Sequence, residues 1–212
     1  MGAESARSPM NSFDLPQLLA VAAVLGFASG IRLYAVVLIV GLVGFAGWVQ
    51  LPPGLQVLSH PAVLIVAGVM FVAEFFADKI PALDTLWDAV HTFIRIPAGA
   101  ALAAGVLGAD HATWAVIAAL LGGTLAATSH FTKAGTRAAV NTSPEPVSNV
   151  LVSGAEDLAV GGLLWLVLKF PLIAAAIVLL LVLAAVWLLP KLFRFIRRVF
   201  LRRDDASPTS TG

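Results

Sequence analysis

The stretch ADKIPALDTLWDAVHTFIRIPAGA, from Ala77 to Ala100, places acids, a histidine and an arginine at regular spacing. On a helix, at about 100° per residue, Asp84, Asp88, His91 and Arg95 fall within an arc of roughly 60°, with Trp87, Val90 and Ile94 on other sides. Carboxylates beside an imidazole can perform general acid–base chemistry. Oxygen and imidazole donors at this spacing can also hold a divalent ion. Arg95 on the same face opposes one, so no metal and no cofactor is expected. The bland alternative is an interfacial helix whose charges are simply wetted. Two features weigh against it. The stripe is acid-rich, whereas helices resting on anionic lipid favour Lys and Arg, and Glu74 and Asp78 stand one turn apart just before it. The expectation is a polar lid or gate of Asp78, Asp84, Asp88, His91 and Arg95, turned inward.

A second polar stripe lies in SHFTKAGTRAAVN, where His130, Arg137 and Asn141 share one helical face and Lys133 stands at its edge. Its charge is wholly positive. The acidic and basic stripes can pair as a structural network, or they can flank a binding site. Glu156-Asp157 is the sharper signal. Counted from Val147, the two acids lie about 14 Å along a helix, close to a bilayer midplane, where a charge costs at least about 2.5–3.5 kcal/mol on insertion scales. Such residues face a cavity, bind a proton or cation, or pair with a base, and Arg32, Lys133 and Arg137 are the candidate bases. Neighbours on a helix diverge by about 100°, so Glu156 is expected to face a cavity with Ser153 beside it, and Asp157 to be paired. Ser153-Gly154 permits close approach of another helix.

The elements that must carry these side chains are membrane helices. The chain of 212 residues is 59% hydrophobic and only 12% charged, against about 25% charged in an ordinary soluble domain, and its mean hydropathy is +0.95. Several runs reach the roughly 18–20 apolar residues that cross a bilayer, and none alternates like barrel strands. The absence of cysteine excludes disulfides, thiolate metal sites and cysteine nucleophiles. The polar start MGAESARSPMNSFD lacks the basic region and apolar run of a cleaved signal.

The pattern predicts an all-α, polytopic transmembrane bundle of about six to seven spans. Residues 1–14 form a polar segment, 15–190 a single membrane domain, and 191–212 a basic juxtamembrane segment with a disordered tail. The first apolar stretch reads as two helices, 15–29 and 31–51, hinged at Ser29-Gly30, the first short enough to be re-entrant. Then come a span at 61–78, a short cytoplasmic amphipathic helix at 83–95, a weak apolar run at 97–109, and spans from Ala112, at 147–168 and at 171–190. Gly26–Arg32 and Gly123–Lys133 both run glycine, small residues, serine, then a base, which an inverted repeat of interrupted helices would give and chance could also give.

If the C-terminal KLFRFIRRVFLRR is cytoplasmic and the segments alternate, Arg32, Lys79, Arg95, Lys133 and Arg137 all fall inside, as the excess of basic residues in cytoplasmic loops requires. Trp48, Trp114, Trp165 and Trp187 then lie near span ends. This predicts a multi-pass protein of the cell's inner membrane with a cytoplasmic C-terminus. Its partners are membrane lipids, with anionic lipid at the basic C-terminal segment, and no nucleic acid.

The segments GFASGIRLYAVVLIVGL, AEFFADKIPALDTLWDAVHTFIRIPAGA and GGTLAATSHFTKAGTRAAVNTSPEPVSNVLVSGAEDLAV resemble the bacterial integral-membrane domain-of-unknown-function family 4126 from about Leu15 to Leu189. The resemblance implies a compact helical membrane domain with polar motifs at these positions, and supplies no activity or catalytic residues. The Walker loop, the glycine-rich dinucleotide turn and the HExxH zinc helix are absent. So is the lipid-phosphatase pattern, of which only Arg95-Ile-Pro and Ser129-His130 have any counterpart.

Three functions remain. A small transporter or flippase-like permease would hold a small anion or phosphate-bearing head on Arg32, His130, Lys133, Arg137 and Asn141, with Glu74, Glu156 and Asp157 as intramembrane acids. A membrane-embedded enzyme on a lipid phosphate would use His91 or His130 as acid or base. A scaffold would use the charges only to lock the bundle.

Overall fold

Proline stands first in four of the helices, where its missing N–H costs nothing and its fixed φ favours the helical turn. In the computed structural model, which describes residues 13–108, 111–141 and 146–204, these are α2 (Pro61–Ala77), α3 (Pro81–Leu107), α5 (Pro146–Lys169) and α6 (Pro171–Asp204). The others are α1 (Leu15–Phe45), α4 (Ala112–Val140) and a 3₁₀ turn at Pro53–Ser59. α1 opens instead with a reciprocal cap, in which Asp14 and Gln17 each accept the other's backbone N–H at 3.0 Å. The described residues contain no strand. Five helices are long and apolar enough to cross a membrane, or six if the 3₁₀ turn and α2, bent by 69°, form one span. The protein is a multi-pass integral membrane protein.

α1 does not run straight. Arg32 has non-helical backbone angles, φ −142° and ψ 72°, and the chain folds back there. Val21 and Val43 would lie about 33 Å apart along a continuous helix, yet Val21, Leu25, Val40 and Val43 line one small apolar cavity with Leu55 and Leu164. The first half therefore enters the bundle, turns at Arg32 and returns as a hairpin. The sequence expectation of two helices is corrected in its details. The break falls at Arg32 and not at Ser29-Gly30, and the second half ends at Phe45, before a turn in which Gly47 adopts φ +71°.

Gly26 and Gly30 serve contact and not flexibility. A Cβ on Gly26 would stand 2.5 Å from the Cα of Gly122, and one on Gly30 would strike Ser129 and Ala126 of α4. Gly99 of α3 enters the same crossing, where a Cβ would meet Ala126 at 2.5 Å and Ser29 at 2.6 Å. The two glycine–serine–base motifs thus form the two sides of a single crossing. α4 is continuous through Ser129, which corrects the expectation of a second interrupted helix.

α3 brings another correction. The expected short amphipathic helix at 83–95 and the weak run after it are one helix, Pro81–Leu107, continuing through Pro97. It continues because the stripe has somewhere to go. Asp84, Asp88, His91 and Arg95 are all buried, so the wetted interfacial arrangement is excluded.

Helix direction gives the bundle two unlike ends. The turn at Arg32, the α2–α3 junction, the end of α4, the start of α5 and the end of α6 lie at one, with Gly135 of α4 beside Leu192 of α6. The Val49–Ser59 connection lies at the other, where Gly54 meets Gly105 of α3. Apart from Lys169, the described Lys and Arg residues fall in the half of the first end. Arg7 and the tail beyond Asp204, expected to be disordered, lie outside the described residues. Trp48, Trp114 and Trp165 are exposed at or near helix ends, where interfacial aromatics belong; Trp187, also exposed, lies mid-way along α6, which continues past the expected span end.

Candidate functional site

The turn at Arg32 leaves backbone carbonyls without helical partners, which a membrane interior does not forgive. α4 supplies them. Ser129 Oγ donates to Phe27 O at 2.7 Å and Lys133 Nζ to Ile31 O at 3.3 Å. The Arg32 guanidinium, fully buried, pairs with Asp78 at the C-terminal cap of α2. It also donates to Ser153 Oγ at 2.8 Å and Ser153 O at 3.2 Å. Its Nε lies 3.0 Å from Asp157 Oδ1. Irregular backbone, arginine and α5 are thereby locked together.

The remaining cations are equally engaged. Lys133 Nζ stands 3.1 Å from Asp78, 3.7 Å from Asp88 and 4.0 Å from Glu74. Arg95 pairs with Glu74 and, at 2.7 Å, with Asp88. Arg137 grips Glu156 with both fork atoms, Nε to Oε1 at 3.1 Å and Nη2 to Oε2 at 2.9 Å, and donates to the carbonyls of Asp78 and Asn149. Glu156 Oε2 is the meeting point: Arg137 at 2.9 Å, Arg32 at 3.3 Å and Lys133 at 3.7 Å all converge on it. On their far side the same cations meet Asp78. The fork, with its planar bidentate grip, is the arrangement that recognises carboxylates and phosphates.

Two clefts flank this network across α4. One, of about 400 Å³, lies between α1, α4, α5 and α6; its walls are Phe27, Ile31, Val152, Leu181 and Leu188, and Lys133 and Glu156 border it. The other, of about 260 Å³, lies between α3 and α4 and is bordered by Asp88, His130 and Arg137.

Both histidines are held by the bundle. His91 Nδ1 lies 2.8 Å from the Trp87 carbonyl, so it carries the proton, and Nε2 accepts from the Tyr34 hydroxyl at 3.0 Å. His130 has the opposite tautomer. Its Nδ1 accepts from Arg95 at 3.1 Å, and Nε2 donates to Thr92 Oγ1 at 2.7 Å, which passes its own proton to Asp88 O. Neither ring keeps a nitrogen for a substrate.

Residues 19–191 match the family described as domain of unknown function (DUF4126). The chain belongs to that family. No curated protein and no solved structure matches it. Membership in DUF4126 covers every element from α1 to the start of the basic end of α6, and so the whole charged network.

The network joins residues that the sequence separates into stripes. Glu74, Asp78, Asp84, Asp88, Arg95, Lys133, Arg137, Glu156 and Asp157 all share ion pairs with a common set of partners. Asn141 donates to Asp84 at 3.3 Å and receives Asn149 at 2.8 Å. Some partnerships differ from expectation. Ser153 bonds Arg32 and not Glu156. Glu156 borders the cleft and is paired at once, while Asp157 is the more exposed of the two. Tyr34, Thr92, Ser129 and Asn149 were not singled out as site residues. Tyr34 carried a usable signal, as the chain's one tyrosine, two positions after Arg32. Ser129 carried one too, as the serine of the second glycine–serine–base motif, whereas Thr92 and Asn149 are small polar residues without a distinguishing pattern.

Asp78 gives the network a pH dependence. Burial pushes its carboxyl up, but Lys133, Arg32 and Arg137 together hold it below its ordinary value. A group whose folded pKa lies below its unfolded one contributes stability above the unfolded value, about 3.9, and loses it as pH falls through the folded value. The melting temperature of the wild type should therefore fall as pH drops below about 4. Asp78→Asn should already melt lower at pH 7 and lose less on acidification. Equal acid sensitivity in the two proteins would remove Asp78 as a source.

Proposed function

We propose that this protein is a small proton-coupled transporter of an anion, with Arg32, Lys133 and Arg137 as the anion cradle and Glu156 as the coupling acid. The observation that carries the reading is the convergence of three cations on one carboxylate oxygen bordering a cleft. Glu156 occupies the cradle as a tethered anion. Protonation at its carboxylate weakens all three attractions together and leaves the cradle facing the cleft, backed by Asp78 and by the more distributed charges of Glu74, Asp84, Asp88 and Asp157. A substrate anion then takes the place of Glu156, and its departure returns the carboxylate and releases the proton. Asp84, Asp88, His91 and Arg95 act as the gate on the α3 side. The glycine crossing of α1, α3 and α4 seals the opposite half, so release to that side requires this crossing to open.

The charged end faces the cytoplasm of the inner membrane in this reading, following the excess of basic residues there. Lys191, Arg194, Arg197 and Arg198 on α6 meet anionic lipid at that surface, each contributing about 1 kcal/mol. Phe195→Cys on the exposed face of α6 should be labelled by an impermeant thiol reagent only in inverted vesicles, and Trp48→Cys only in intact cells. The reverse pattern would overturn the orientation.

The transport test uses vesicles loaded with a pH-sensitive dye and given inward gradients of inorganic phosphate, butyl phosphate and octyl phosphate in turn. At least one gradient should acidify the lumen with wild-type protein. In Glu156→Gln, which keeps the shape but cannot release a proton, the acidification should fall about tenfold or more. Absence of acidification with every probe, or wild-type acidification by Glu156→Gln, would reject the reading. The ion pairing of Arg32, Arg95, Lys133 and Arg137 favours one rival, a scaffold whose charges only lock the bundle, and those same outcomes would support it. An embedded phosphatase has less support, because both histidines are committed to internal hydrogen bonds.

A further inference from the structure

We propose that the anion taken by the Arg32–Lys133–Arg137 cradle is an amphiphile, a phosphate or carboxylate head on a single apolar chain, entering sideways from the bilayer through the α1–α4–α5–α6 cleft. The inference rests on the anion-cradle reading and adds the class of substrate and its route. A volume of about 400 Å³ falls within the roughly 300–1,000 Å³ of small-molecule sites. Most of the lining is apolar, from Phe27 and Ile31 on one side to Leu181 and Leu188 on the other; the hydroxyl residues Ser129, Thr132 and Thr136 come from α4, and charge appears only at Lys133 and Glu156. The α5 and α6 walls, Val152, Ala155, Ala159, Leu181 and Leu188, offer a hydrophilic anion no polar partner but suit an alkyl chain whose head meets the cradle.

The mouth of the cleft points the same way. Ala155, Ala159, Leu181 and Ala184 are exposed there, and the surrounding surface carries Leu158, Leu180 and Leu183 at 58–79% exposure. On a helix bundle in a membrane that surface is the lipid face, so an amphiphile already dissolved in the bilayer reaches the cradle without crossing water. α4 and α5 are joined at the charged end by Arg137 and Glu156 and diverge beyond it, α4 being held at the glycine crossing with α1 and α3.

Glu156 faces Arg32 of α1 and Lys133 and Arg137 of α4, with Asp157 its neighbour on α5. Glu74 of α2, Asp78 after it, and Asp84 and Asp88 of α3 share those same cations. With Glu156 protonated, Arg137 loses its nearest counter-charge, and Arg32 and Lys133 each lose one of theirs. Anion binding should therefore strengthen as pH falls.

Photolabelling of the protein in phosphatidylcholine vesicles tests this, using a twelve-carbon alkyl phosphate with a diazirine in its chain. The label should map by mass spectrometry to Val152, Ala155, Leu181 and Leu188, increase on acidification, and be competed by octyl phosphate but not by octyltrimethylammonium. In Glu156→Gln, labelling at neutral pH should rise about tenfold, as expected when the competent fraction of sites grows. Ala159→Trp, which fills the cleft without touching the charges, should abolish it and guards against a misfolded Glu156 variant. Label spread over unrelated lipid-facing residues such as Phe93 or Leu120 would overturn the proposal, as would equal competition by the ammonium amphiphile. Competition by dioleoyl phosphatidate and not by octyl phosphate would overturn the single-chain assignment. If cleft labelling fails while inorganic phosphate still drives acidification, the substrate class is wrong and the transporter reading stands. If both fail, both are wrong.

Discussion

Arg32→Ala should be the most damaging single substitution in the charged network. Breaking one buried ion pair by removing a partner costs about 3–5 kcal/mol, because the surviving charge stays buried and uncompensated. Arg32 has more than one such partner. Its loss takes from Asp78, fully buried, its closest base, leaving only Lys133 and Arg137, and removes the nearest base from Asp157. It also frees Ser153 Oγ and a carbonyl of α5, and it removes the side chain that holds the α1 hairpin at its turn. The expected result is a melting temperature at least about 10 °C lower in detergent, taking roughly 2–4 °C per kcal/mol for a chain of this size. Arg32→Lys should rescue little, since an ammonium cannot span Asp78 and Ser153 as a planar fork does. A variant melting within about 3 °C of wild type would mean that the pairing contributes no more than about 1 kcal/mol.

Gly26→Val should be the most damaging substitution outside the charges. Its Cβ would stand 2.5 Å from the Cα of Gly122 and 2.8 Å from the Gly122 carbonyl oxygen. Both are backbone atoms of a helix that cannot move a single side chain aside. Overpacking a core commonly costs about 1–3 kcal/mol, and here α3 stands in the same crossing through Gly99 and prevents α4 from backing away. The loss should reach or exceed the top of that range. Gly154→Ala is the matched control, because a Cβ there meets nothing within 4 Å, and alanine gains up to about 1 kcal/mol of helix propensity over glycine. Thermal melts of the two variants should move in opposite directions. Comparable losses in both would indicate that glycine is needed for flexibility and not for contact.

The two substitutions mark different kinds of legibility. The glycine motif and its serine stand out along the chain, and so does the coincidence of a charge with a short apolar helix. What they do is decided by a partner far away in sequence. Ser29-Gly30 resembles a hinge until Ala126 and Ser129 of α4 are set against it. The Asp84–Arg95 stripe is expected to face inward, but its partners Glu74, Lys133 and His130 are set only by the fold.

The sequence by itself determined that the chain is a multi-pass helical membrane protein, because hydropathy over some twenty residues depends on composition alone. It also determined the acidic and basic helical faces, which follow from the fixed angle per residue. Only the tertiary structure decided that α1 folds back at Arg32, that α3 continues through Pro97, and that Arg32, Lys133 and Arg137 meet at Glu156. Helical periodicity tells each side chain which way to face on its own helix. It carries no record of which carboxylate on which neighbour will satisfy a buried guanidinium, and that long-range pairing is what fixes both the turn in α1 and the geometry of the cradle.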